Sequence, residues 1–333
     1  MADKARNLTD KILADMEKNL SAIYFKEQKY LYSSFEEYFK PLKKEAEKLL
    51  NNIAKAKTDK EKTTAKNAYK LFVKKSILAD KKFKDLSKNL SDRLYETNLN
   101  AVNQINEKAP EIYVLNYNAI GKNLENDLVD YTLHEATQKD VELYGNLTKQ
   151  TLSKTKDTTW NNKNIRKGVL AGALLFLPLE KIFDRTSKNV AKKNFNTAKT
   201  YACGQTTDAE SKGRLDSFYR ASDEGYGIEK TWIAILDNRT RHSHRNLDGT
   251  TIPLNDEFLQ GLSRPKDPNG RPEEVCNCRC TLGYKVGQKT SKTRFAREGE
   301  VTGSYKKSSS FKGTTSVEIK NMTYEEWAKW RKL

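Results

Sequence analysis

Residues 231–249 read TWIAILDNRTRHSHRNLDG and residues 273–281 read EEVCNCRCT. Trp232 to Leu236 is a short β-branched and aromatic apolar run, the pattern of a buried strand. Asp237-Asn238 breaks the run with a turn, and Asp248-Gly249 marks a second turn, which reads as a hairpin. Trp232 is expected to fill a core. Asp237 is expected to pair with Arg239, Arg241 or Arg279 and to fix the first turn. Of the chain's 3 histidines and 4 cysteines, His242, His244, Cys276, Cys278 and Cys280 fall in these two stretches. Zinc takes four borderline or soft ligands in a tetrahedron. Cys278, Cys280, His244 and Cys276 are therefore the candidate ligands of one structural zinc ion, with His242 as a substitute. Two facts weigh on the other side. C-x-C departs from the usual C-x2-C spacing, and buried thiols and imidazoles also pack and hydrogen-bond without a metal.

The order Trp232, Asp237, Arg239, Thr240, Arg241, His244, Leu247, Asp248, Gly249, followed by Pro265, Asp267, Pro268 and then Asn277, Cys278, Arg279, Cys280, Thr281, resembles a known signature. It is the C-terminal signature of the phage minor head proteins, the family of the phage Mu F protein and its relatives in tailed phages of Gram-positive bacteria. Weaker similarity reaches back to about Ile165. The resemblance implies a virion protein inside the capsid near the portal, made in the host cytoplasm during assembly. It implies portal binding, a role in head assembly and passage with DNA during ejection. Its implied partners are the portal protein, packaged double-stranded DNA and the major capsid or scaffolding protein. Many relatives carry an Arg-Thr-Glu triplet upstream, where this chain is read as Cys203-Gly204-Gln205, so that triplet's role does not carry over.

Composition sets outer limits. A chain of 333 residues is long enough for two domains and a sizeable core. A net charge of +17 favours polyanionic partners; a Lys-rich background with lysines mixed among acids explains the same number without any partner. Residues 1–20 are polar and charged, so no secretory signal is expected. The longest apolar run, Val169 to Leu179, is shorter than the roughly 20 residues a bilayer requires, so no membrane span is expected.

Along the chain, residues 1–160 read as a helical, Lys-rich arm or bundle. One apolar stripe runs through Leu8, Ile12, Met16, Leu20 and Ile23, and another through Leu86, Leu90, Leu94, Val102 and Ile105. Pro41 and Pro110 suggest helix starts or breaks, and Thr58 suggests a helix cap. The aromatics from Tyr24 to Phe39 fit core packing better than a docking patch. His134 is placed on a helix, without a ligand partner. Residues 161–286 form the Mu F-like domain: α+β, with a short antiparallel sheet ending in a strand at 282–286. Residues 287–333 are a flexible basic linker and a short C-terminal helix, with Thr323 and Glu326 as a capping box. The fold class is α+β, a long helical region preceding a small sheet domain.

The expected role is structural, not enzymatic. Trp232, Asp237, Arg239, Arg241, Asp248, Gly249 and Arg279 are then a folding specification. The alternative is a metal-dependent phage nuclease or hydrolase, to which the stretch His242-Ser243-His244-Arg245-Asn246 bears a short likeness; Asp237, His244 and a cysteine also offer the residue types of a nucleophilic relay.

Overall fold

The computed structural model describes residues 4–148, 151–286, 293–295, 318–320 and 324–331. It is mostly helical with a small antiparallel sheet, as the α+β reading expects. In order come α1 (Lys4–Phe39), a 3-10 turn (Lys40–Leu42), α2 (Lys43–Lys55), α3 (Asp59–Phe72), a π-helical turn (Val73–Leu78) and α4 (Lys81–Asp127). Then follow α5 (Gln138–Thr148), α6 (Lys154–Leu174), α7 (Leu179–Asp223), β1 (Ile228–Ile233), α8 (His242–Leu247), β2 (Thr251–Pro253), α9 (Pro272–Val275) and β3 (Thr281–Val286). Last are β4 (Thr293–Phe295), β5 (Glu318–Lys320) and α10 (Tyr324–Arg331). Pro41 does end α1, through the 3-10 turn. Thr58 caps α3 with a full capping box to Glu61, which satisfies two of the orphan donors at that helix start. Pro110 behaves otherwise than expected: it lies inside α4, which continues through it. The cost of its missing N–H is borne by a helix held on other faces by packing.

The chain divides into two units, each discontinuous in sequence. The first comprises Lys18–Asn103 with Thr151–Lys199; the second comprises Met1–Glu17, Gln104–Gln150 and Thr200–Leu333. In the first unit the core is aromatic. Phe183 of α7 stacks on Phe39 with ring centroids 5.2 Å apart and meets Phe35 at 4.9 Å. Tyr24, Phe35 and Phe39 are buried while Phe25 and Tyr30 are exposed, so the aromatic run of α1 is mainly core, as periodicity suggests. A buried polar network sets the helix registers here. Asn98 donates to Asp157 (3.0 Å) and Asn194 (2.7 Å), Asn194 donates to Asn161 (2.8 Å), and Tyr24 donates to Asn98 (2.7 Å). Every member has a partner, the condition under which a buried network specifies one packing.

In the second unit, β1 is the middle strand of the order β2-β1-β3, antiparallel on both sides. Its inner face carries Ile228, Lys230 and Trp232, alternating with more exposed residues as a half-buried strand must. The β1–β2 pair is antiparallel, but α8 lies between the strands in place of a tight turn. Gly225 at φ 95° ends α7 and turns the chain into β1. The first turns of α1 also depart from the apolar stripe. Leu8 is exposed, while Arg6 and Thr9 are buried. The physical reason is polar: Arg6 pairs with the buried Glu210 of α7, and Asn116 of α4 donates to Thr9 at 2.8 Å. Glu210 also pairs with Arg214 at 3.3 Å and accepts from Thr281 of β3. One buried carboxylate thus joins α1, α7 and β3.

His134 is not helical; it lies in the irregular stretch between α4 and α5, with Nε2 2.8 Å from Glu224. Of residues 287–317, read as a linker, only 293–295 are described, and these pair with β5. Thr323, the expected cap, lies outside the described residues. In α10 Trp327 is buried, and Tyr324 lies under the Arg245 guanidinium at 4.6 Å, so this helix docks on its own unit. Among the described residues no helix is long and apolar enough to cross a membrane.

Candidate metal centre

The end of β1 is shaped by its turn residues. Asp237 is buried and accepts from the Arg239 amide at 3.0 Å. Both its oxygens meet Arg279, each 2.8 Å from a guanidinium nitrogen. Burial alone would raise the Asp237 carboxyl, but the hydrogen bonds and charge of Arg279 outweigh it and hold it below the ordinary value. Of the three arginines offered by the sequence, Arg279 and Arg239 pair with Asp237. Arg241 turns elsewhere, donating to the Glu273 and Cys276 carbonyls. Asp248 accepts from the Ala234 amide at 2.7 Å, and Gly249, at φ 77°, donates to the Trp232 carbonyl at 2.9 Å. Each of these short polar residues fixes backbone, which is why the signature needs Asp-Gly at this spacing.

Arg279 sits between two cysteines. In C-x-C the flanking residues share one side when the chain is extended. Here the guanidinium goes to Asp237 and both thiols go to His244. Asn277, at φ 56°, turns the chain out of α9 and into this segment. His244 Nδ1 lies 3.4 Å from Cys280 Sγ and 3.7 Å from Cys278 Sγ, and the donor atoms of the three residues all lie within 4.8 Å of one another. His244 and Cys278 are each 2% exposed and Cys280 is 3% exposed. Tetrahedral zinc with ordinary bond lengths spaces sulfur and nitrogen ligands about 3.6 Å apart, so the observed separations fit such an ion. A hydrogen bond from Cys280 and the adjacent His244 hold the Cys278 thiol well below its ordinary value despite burial, which favours the thiolate, the ligand form. Cys276 and His242 are exposed and stand outside the group. Cys203 is half-buried and burial raises its thiol.

Two neighbours of the group were not legible in the sequence. Glu274 of α9 places Oε2 3.1 Å from His244 Nε2, without a hydrogen bond between them. Ser243 donates to the same oxygen at 2.7 Å. A Glu-Glu pair opening a short turn and a Ser between two histidines carry no periodicity that would mark them. Trp232, fully buried, meets His244 edge-on at 5.0 Å and Phe258 at 5.2 Å. Arg241, just before α8, and Ser243 and His244 within it therefore all reach the segment 273–280. The arrangement is a clasp joining the chain that follows β1 to the chain that enters β3.

Residues 163–283 match the family described as Phage Mu protein F like protein. The signature and the clasp lie within this span, and β3 of the sheet runs past its end to Val286. The chain is 29% identical over 171 residues to the minor head protein GP7 of Bacillus phage SPP1, covering 50% of this chain and 49% of that protein. It is 36% identical over 66 residues to the NAD(+)--arginine ADP-ribosyltransferase EFV of Enterococcus faecalis, covering 19% of this chain and 14% of that enzyme. The chain thus spans about half the length, or less, of the curated relatives it matches. No solved structure matches. The recognition drawn from the signature residues and the α+β fold class both stand.

Proposed function

We propose that this chain is a structural component of a tailed-phage head, bound at the portal vertex inside the capsid. It would help assemble the head, and its positive charge would face packaged DNA. The observation that carries the reading is the family match over 163–283 together with the use the fold makes of the signature. Trp232, Asp237, Asp248, Gly249 and Arg279 are spent on core, turns and the Asp237–Arg279 pair, which is a folding role. The burial of His244, Cys278 and Cys280 supports an architectural role over a catalytic one, since a nucleophile or base must reach a substrate. The net charge of +17 supports contact with a polyanion.

In the same reading, His244, Cys278 and Cys280 would supply three of the four ligands of one zinc ion, which would staple the clasp and contribute folding free energy. Cys276 is not counted among the ligands because it is exposed and outside the group. The functional test is co-purification of the full chain with the portal protein of the same phage, in moderate salt. Retention of the chain supports the reading, and a portal that elutes alone overturns it. The test of the staple is metal analysis of protein prepared without chelators: about one equivalent of zinc is expected, and less than a tenth would remove the ion from the account.

A further inference from the structure

The zinc reading names the atoms that would touch the ion but leaves unexplained why His244 presents Nδ1. An imidazole has two nitrogens, and the one that can act as ligand is the one without hydrogen; the partner of the other nitrogen decides which that is. His244 Nδ1 faces the Cys280 and Cys278 sulfurs at 3.4 and 3.7 Å. Nε2 faces Glu274 Oε2 at 3.1 Å. Glu274 is itself buried, and its Oε2 is oriented by the Ser243 hydroxyl from the residue next to His244. Carboxylate and ring make no hydrogen bond at this angle, so the carboxylate acts through its charge: 3.1 Å from Nε2 it favours the ring with its hydrogen on Nε2, which leaves Nδ1 without one beside the thiols. It also makes the imidazole more basic and so a stronger ligand.

We propose that Glu274 is the positioning residue of this centre, holding His244 in the form whose Nδ1 binds the metal. The proposal rests on the zinc reading. A merely structural Glu274 would pin α9 to α8 through Ser243, and the two roles separate by substitution. Glu274→Gln keeps the side-chain volume and the Ser243 contact but removes the charge. Glu274→Ala removes all three. Ser243→Ala removes the pin alone. Glu273→Ala, at the exposed neighbouring residue, serves as control.

The experiment uses the full chain. Zinc affinity is measured by competition with a chromophoric chelator, and the histidine rings are followed by nitrogen-15 NMR after selective labelling. Wild type is expected to bind zinc through Nδ1 of His244 with hydrogen on Nε2. Glu274→Ala is expected to bind about 10- to 100-fold more weakly, Glu274→Gln to be weakened nearly as much because it too lacks the charge, and Ser243→Ala and Glu273→Ala to bind nearly as wild type. Equal affinity for wild type and Glu274→Ala, or zinc on Nε2 of His244, overturns the proposal while leaving the zinc reading standing. Should Glu274→Ala not fold, the Glu274→Gln affinity and the wild-type ring signals decide alone. A wild-type chain that takes up no zinc overturns both together.

Discussion

Replacing Lys230 with Met should stabilise this protein. Lys230 sits on the inner face of β1, is 0% exposed, and its Nζ has no hydrogen-bond partner among the described residues. Its nearest compensation is the Phe258 ring, 5.6 Å from Nζ to centroid. Burial lowers its pKa from 10.5 to about 8, partly offset by Asp256, Asp267 and Glu257. That gap corresponds to about 3 kcal/mol of folding free energy lost at neutral pH. The sign follows from proton counting. Between about pH 8 and 10.5 the unfolded chain holds the proton and the folded one does not, so stability rises with pH over that window. Lys230→Met fills a similar volume without a charge to bury, so it should recover most of that loss. The assay is urea unfolding of both proteins at pH 7.0 and 9.5, followed by tryptophan fluorescence. Other groups titrate over this range, so the gap between the two proteins is the quantity to read. It should favour Lys230→Met by about 2–3 kcal/mol at pH 7.0 and shrink by about 2 kcal/mol at pH 9.5. A variant less stable than wild type at pH 7.0, with a gap that ignores pH, would refute the reasoning.

Three further outcomes are expected. Glu210→Ala removes the carboxylate that Arg6 and Arg214 share, leaving Arg6 with Asp10 and Arg214 with Asn116 and the Leu282 carbonyl, and should cost about 2–3 kcal/mol by chemical unfolding. Asp237→Asn weakens the bidentate pair with Arg279 and should cost about 1.5–3 kcal/mol at pH 7. Because the folded Asp237 carboxyl is held low, wild type loses this contribution only as pH falls through the acid range, so the two acid-unfolding curves should converge at low pH. Gly213→Ala would bring a Cβ to 2.4 Å from the Tyr113 carbonyl; the resulting shift of α7 against α4 should lower the melting temperature, with a cost of about 1–3 kcal/mol.

The small sheet was legible because its signals are local. Trp232 in an apolar run and Asp-Gly at a turn each act within a few residues, although the strand proved to be Ile228–Ile233, with 234–236 of the predicted run Trp232–Leu236 lying beyond its end. The capping box at Thr58 and the 3-10 break at Pro41 were legible for the same reason. What stayed hidden depends on partners distant in sequence. Nothing near Leu8 announces that Glu210 and Asn116 will draw Arg6 and Thr9 inside in its place. Pro110 signals a break, and only the packing of a 47-residue helix overrides it. Of the metal candidates, Cys278, Cys280 and His244 converge because C-x-C places both thiols on one side. Cys276, one step further in the same alternation, is removed by the turn at Asn277. Glu274 could be found only from the atoms around Nε2.

The proposed structural role makes one demand that no property of the isolated chain can meet: the polypeptide must be part of the particle. Mass spectrometry of gradient-purified phage, with tails removed and heads washed in high salt, measures this directly. The chain should be found in the heads, in far fewer copies than the major capsid protein. Its absence from washed heads would contradict the account.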